Sequence, residues 1–151
     1  MSLFDQINAD IKSAMLAKEK AKLEPLRSVK AAFIMAKTEK GATGELTAEA
    51  EIKIIQKLVK QRKDSAQLYI DNNRQELADK ELYEATVIEQ YLPVQLSEEE
   101  VLAGVKEIVV KIGASGPQDM GKVMGMASKH FSGKAEGKVI SAIVKQVLAS
   151  L

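Results

Sequence analysis

Apolar residues return every three or four positions almost from end to end of the chain. That is the spacing of one helical face, not the alternation of a strand. Phe4, Ile7, Ile11, Ala14 and Met15 form a narrow stripe behind Ser2, whose side chain suits the free N–H groups of a first turn. Leu23, Leu26, Val29, Phe33 and Ala36 form a second stripe, with Pro25 expected in its first turn, where no donor is missed. Lys40-Gly-Ala-Thr-Gly44 reads as a turn. Thr47 then caps a long third helix carrying Ile52, Ile55, Leu58, Val59 and Tyr69. Asp71-Asn72-Asn73 interrupts it, and Leu77, Val87, Ile88 and Tyr91 define a fourth helix. That helix ends before Pro93, whose ring disfavours helical backbone in Leu92.

The stretch from Leu92 to Glu100 is the clearest boundary. Ser97 and Glu100 stand at capping-box spacing and restart helix. Leu102, Val105, Ile108, Val109 and Ile112 run on to Gly113, a helix stop. Two more helical segments follow, near 117–130 and 134–150, separated by Ser132-Gly133. The expected fold class is all-α: an N-terminal four-helix domain over 1–92, then a smaller three-helix domain over 93–151.

Composition narrows the chemistry. The 151 residues suffice for one or two small domains, and 46% hydrophobic residues with 22 basic against 21 acidic side chains exclude a wholly disordered chain. Cysteine is absent and there is one histidine, which removes disulfides, thiolate chemistry and multi-histidine metal sites. The opening residues carry Asp5 and no long apolar run, so they do not read as a secretory signal. No apolar stretch is long enough to span a bilayer. The expectation is a cytoplasmic protein with no membrane partner, no cofactor and no metal.

Charge changes the picture locally. Residues 1–92 balance 15 basic against 15 acidic side chains. Residues 113–151 set five lysines (122, 129, 134, 138 and 145) against Asp119 and Glu136. At helical spacing Lys122 and Lys129 lie about 20° apart, facing away from Met124, Ala127 and Phe131. On a helix starting near Lys134, Lys138 and Lys145 fall within about 40° of it, opposite Ile140, Ile143, Val144, Val147 and Leu148. Such rows are either plain solvated faces or a surface for a phosphate backbone. With Phe131 the one phenyl ring nearby, the composition suits backbone and shape recognition of a folded RNA better than base stacking.

Gly121 and Gly125 sit four apart on one predicted helix, as do Gly133 and Gly137 across the next boundary. Mid-helix glycine costs about 1 kcal/mol relative to alanine, so close approach of a helix or of a ligand backbone should offset it. Gly116 to Lys122 fits the first part of a phosphate-binding loop, but Val123 stands where a Mg²⁺-binding hydroxyl is needed. In the first half, Arg62 projects into an apolar arc and Lys30 lies beside another. Each expects an ion-pair partner, such as Glu81 or Asp79, or a snorkelling side chain. No catalytic triad, paired carboxylate or metal signature appears, so no catalytic residue is assigned.

The blocks Leu26-Arg27 with Lys30, Lys60-Gln-Arg-Lys-Asp-Ser65, Tyr91-Leu-Pro-Val-Gln-Leu-Ser97, Asp119-Met-Gly-Lys-Val-Met-Gly125 and Gly133-Lys-Ala-Glu-Gly-Lys138 resemble the GatB/YqeY family, in order and over essentially the whole chain. The resemblance implies similarity to the tail of the GatB component of the aspartyl/glutamyl-tRNA amidotransferase, with a second domain that touches tRNA. Carried onto matching positions, Asp119, Gly121, Lys122, Gly125, Lys134, Gly137 and Lys138 become an expected tRNA surface, to which the lysine rows add Lys129 and Lys145. Glu136 departs from the family pattern, which usually shows Asp there. The family's activity label, carbon–nitrogen ligase with glutamine as amido-N-donor, fits the amidotransferase complex, whose catalytic domain is separate. The expected function is an accessory tRNA-binding protein without catalysis of its own. The alternatives are a subunit or partner of an amidotransferase in aminoacyl-tRNA transamidation, and a helical protein–protein adaptor; the expected partners are tRNA and components of an amidotransferase or an aminoacyl-tRNA synthetase.

Overall fold

The computed structural model describes residues 2–39 and 45–151, so the turn expected at Lys40 to Gly44 lies outside the described residues. The described residues form helices and no strand. They gather into two compact units, Met1–Leu92 and Pro93–Leu151.

The first unit contains α1 (Leu3–Leu16), α2 (Lys20–Glu39), α3 (Ala48–Asp71) and α4 (Gln75–Glu89). Ser2 and Thr47 accept the N–H groups of Asp5 and Ala50, each at 3.1 Å, so both predicted caps form. The α3–α4 turn bends at Asn73, whose φ of 59° is left-handed, a conformation that asparagine tolerates better than most residues. Ile7, Leu26, Val29, Phe33, Ile55, Val59, Ala85, Ile88 and Tyr91 form the core. Pro25 departs from expectation: α2 begins at Lys20, so the proline sits in the second turn and is buried. Helix formers and a Glu19–Lys22 ion pair of 3.1 Å carry the helix upstream of its apolar stripe.

Arg62 is held as the apolar arc required, by a different partner from those expected. Its Nε lies 3.4 Å from Glu84 Oε1, while Nη2 donates to Ser28 Oγ at 2.7 Å and Nη1 to the Leu58 carbonyl at 3.2 Å. Glu84 shares the buried face of α4 with Ala85 and Ile88, one turn beyond Glu81. The guanidinium thereby ties α2, α3 and α4 together. Lys30 is half-buried with no carboxylate within ion-pair distance among the described residues. Buried Glu51 accepts the Phe4 N–H at 3.0 Å, a second cap on α1 supplied by α3.

The second unit contains α5 (Glu98–Ile112), a single 3₁₀ turn (Pro117–Asp119), α6 (Met120–His130) and α7 (Gly137–Ala149). The Ser97–Glu100 capping box forms in full, and Gly113 closes α5 at a left-handed φ of 69°. Val101, Val105, Ile108 and Val109 of α5 pack with Val123 and Ala127 of α6, Phe131, and Ile140, Val144, Val147 and Leu148 of α7. Helix on both sides of Gly116 to Lys122 removes the strand that a phosphate-binding loop needs. Among the described residues no helix is long and apolar enough to cross a membrane.

Candidate nucleic-acid interface

The apolar faces of α6 and α7 decide where the lysines go. With Val123 and Ala127 inside, Lys122 and Lys129 are both exposed on one flank of α6. With Ile140, Ile143, Val144, Val147 and Leu148 inside, Lys138 and Lys145 share the outer face of α7, about 20° apart. Lys134 departs from its expected place. Helix α7 starts only at Gly137, so Lys134 stands on the turn between the two helices. Gly133 is the reason: its φ of 76° reverses the chain where helix would otherwise continue. The turn is pinned by Leu96 N–H donating to the Lys134 carbonyl at 2.8 Å and by Gln95 Nε2 donating to the Gly133 carbonyl at 2.7 Å. Lys134 is therefore an exposed side chain on a fixed backbone.

None of these five ammonium groups has a carboxylate within 4.0 Å among the described residues; the ion pairs there involve Lys22, Arg62, Lys63, Arg74 and Lys80. Asp119 does not reach them, because its Oδ2 accepts the Ser115 N–H at 2.8 Å and braces the turn before α6. Glu136 is exposed and makes no capping bond to α7.

The helical glycines separate cleanly. A Cβ on Gly121, Gly125 or Gly137 would meet nothing within 4 Å. Gly121 and Gly125 both lie roughly opposite Val123 on α6, beside the Lys122–Lys129 flank. Helix–helix approach within the second unit therefore does not explain them. The glycine that packing does require is one that sequence reasoning missed. A Cβ on Gly104 would lie 2.4 Å from Cζ of Phe131, a ring only 2% exposed. An isolated glycine on an amphipathic helix gives no periodic signal, so only the fold could reveal that partner.

The family profile described as Yqey-like protein matches residues 4–148. The chain belongs to the Yqey-like family. It is 30% identical over 148 residues to "Altered inheritance of mitochondria protein 41, mitochondrial" of Kluyveromyces lactis, covering 96% of this chain and 75% of that relative. The protein of the same name from Pyrenophora tritici-repentis is 29% identical over 150 residues, covering 96% of this chain and 80% of its own. That of Clavispora lusitaniae is 33% identical over 101 residues, covering 65% of this chain and 58% of its own.

In this Yqey-like chain the second unit also holds an open groove of about 410 Å³ between α5 and α6, lined by Gly104, Glu107, Ile108, Lys111, Met126, Lys129 and His130. Among the described residues no group of three or more His, Asp or Glu side chains is placed to hold a metal ion.

Proposed function

We propose that this Yqey-like protein is an accessory tRNA-binding protein related to the tRNA-dependent amidotransferases. Residues 93–151 form the RNA-binding domain and 1–92 a separate helical one. Lys122 and Lys129 of α6, Lys134 on the turn, and Lys138 and Lys145 of α7 contact phosphates. Gly121, Gly125 and Gly137 let the ribose–phosphate chain come close. The reading assigns no catalytic step to this chain. It leaves the carbon–nitrogen ligase activity with glutamine as amido-N-donor to a separate catalytic domain, and it puts the protein in the cytoplasm, where tRNA is abundant.

One observation supports this above a plain solvated face: among the described residues, exposed ammonium groups free of carboxylate partners stand beside helical glycines that no packing requires. A solvated lysine row gives no reason to keep glycine at Gly125, which costs about 1 kcal/mol of helix stability. A closely approaching polyanion gives one.

A salt titration of tRNA binding between about 50 and 200 mM is the test. Changing Lys122, Lys134 and Lys138 together to Gln should lower the log–log salt slope by about 3, one unit for each lost phosphate contact. An unchanged affinity and slope would overturn the reading. A helical protein partner packing on the same glycines competes with it, and predicts retention of that partner with no retention of tRNA.

A further inference from the structure

We propose that the groove between α5 and α6 takes one unpaired base of the bound RNA, with the His130 ring as its stacking platform and Lys111 and Lys129 on the adjoining phosphates. This deepens the tRNA reading and rests on it.

The groove is amphipathic in a way that matches a nucleotide. Gly104, Ile108 and Met126 give it an apolar part, while Lys111, Lys129, His130 and Glu107 line the remainder. Its volume of about 410 Å³ lies at the small end of ligand sites, the scale of one nucleotide. Only two of those side chains are large and apolar, too few for a docked amphipathic helix, which needs anchors at i, i+3 or i+4, and i+7. Lys129 also belongs to the α6 lysine row, so the groove adjoins the backbone-contact surface.

The ring has an aromatic neighbour. His130 is exposed and lies at right angles to the Phe131 ring, with centroids 4.8 Å apart and planes at 84°. Phe131 is itself fixed, buried against Gly104 at a distance that admits no side chain there. Gly104 therefore positions Phe131, the neighbour of His130. Unstacked bases of folded RNA are held by stacking on rings of this kind, histidine included, and by hydrogen bonds to their edges. Glu107 has acceptor oxygens for the amino group of adenine, cytosine or guanine, which makes it the candidate specificity residue. Sequence composition alone argued against stacking because it counted only phenyl and phenol rings.

The experiment uses the full chain, a tRNA transcript, and a fully paired RNA duplex without unpaired bases. His130→Ala should weaken tRNA binding about 5- to 30-fold with the salt slope unchanged, because stacking releases no counterions. It should leave duplex binding as it was. His130→Phe should restore most of the loss, and chemical probing should show one loop base protected by the wild-type protein and exposed with His130→Ala. Tight, lysine-dependent tRNA binding that His130→Ala does not alter would overturn the groove assignment while leaving the tRNA reading standing. Absence of any tRNA binding by the wild-type chain would overturn both. Equal losses on tRNA and duplex would show that His130 acts on the backbone, which also overturns base docking.

Discussion

Gly125→Ala and Gly104→Ala are the same chemical change, yet they should act on stability in opposite directions. Gly125 lies inside α6 with open space where a Cβ would stand. Alanine there restricts the unfolded backbone and improves helix propensity, a gain of about 0.8–1 kcal/mol. At Gly104 the same gain is available, but the new Cβ would lie 2.4 Å from Cζ and 2.9 Å from Cε1 of Phe131. Phe131 is 2% exposed and packed in the core of the second unit, so its ring cannot swing clear. Overpacking of that kind costs about 1–3 kcal/mol, enough to cancel the propensity gain and exceed it. Because the two units need not unfold together, the assay is hydrogen exchange of α5, α6 and α7 peptides in the full chain. Protection should rise for Gly125→Ala, by up to about fivefold in the opening constant, and fall for Gly104→Ala. On the proposed function, the gain in stability for Gly125→Ala should come with weaker tRNA binding, since a methyl group would then stand on the face assigned to the RNA backbone. A Gly125→Ala variant that loses protection would refute the structural reading of α6. One that gains protection and binds tRNA as well as wild type would refute the functional reading of its glycine.

Three further outcomes follow from the first unit and the turn. Removing Arg62 alone, as Arg62→Met, should cost about 3 kcal/mol, since Glu84 is only 7% exposed and would be left without its cation; adding Glu84→Met should recover much of that loss in urea unfolding. The Tyr91 hydroxyl donates to Asp10, and its pKa is raised above the usual 10.0, first by burial and then by that hydrogen bond and the carboxylate charge. Its contribution is therefore complete below pH 10 and is lost as pH rises, so the stability difference between wild type and Tyr91→Phe should shrink by up to about 1.4 kcal/mol per pH unit above that point. Gly133→Ala, at a φ of 76°, should destabilise the α6–α7 turn by about 1 kcal/mol and weaken tRNA binding through Lys134, measured by thermal melting and anisotropy.

What could be read before any coordinates follows the range of the interactions involved. The caps at Ser2, Thr47, Ser97 with Glu100, and Gly113 are signals within four residues, and the helices start or stop at them. The apolar stripes placed Ile7, Phe33, Val105 and Val144 in cores because helical periodicity alone fixes their faces. Periodicity misled where a helix extends past its stripe: Lys20 and Lys22 are polar yet helical, which moved Pro25 into a second turn. It misled in reverse at Lys134, where the left-handed Gly133 delays α7. The charge of Arg62 in an apolar arc announced a partner, but choosing Glu84 over Glu81 needs the packing of α4 on α3. At the candidate interface, residue type and spacing pointed to the lysines. Their freedom from carboxylates among the described residues, the open space there over Gly121 and Gly125, and the seating of Phe131 on Gly104 are all properties of neighbours distant in sequence.

Ultraviolet crosslinking of the full chain to tRNA, followed by mass spectrometry of the adducts, tests the proposed tRNA surface most directly. Adducts should concentrate between residues 119 and 145, on peptides carrying Lys122, Lys134 and Lys138, and should disappear at high salt. Adducts confined to residues 1–92, or none at low salt, would contradict the account.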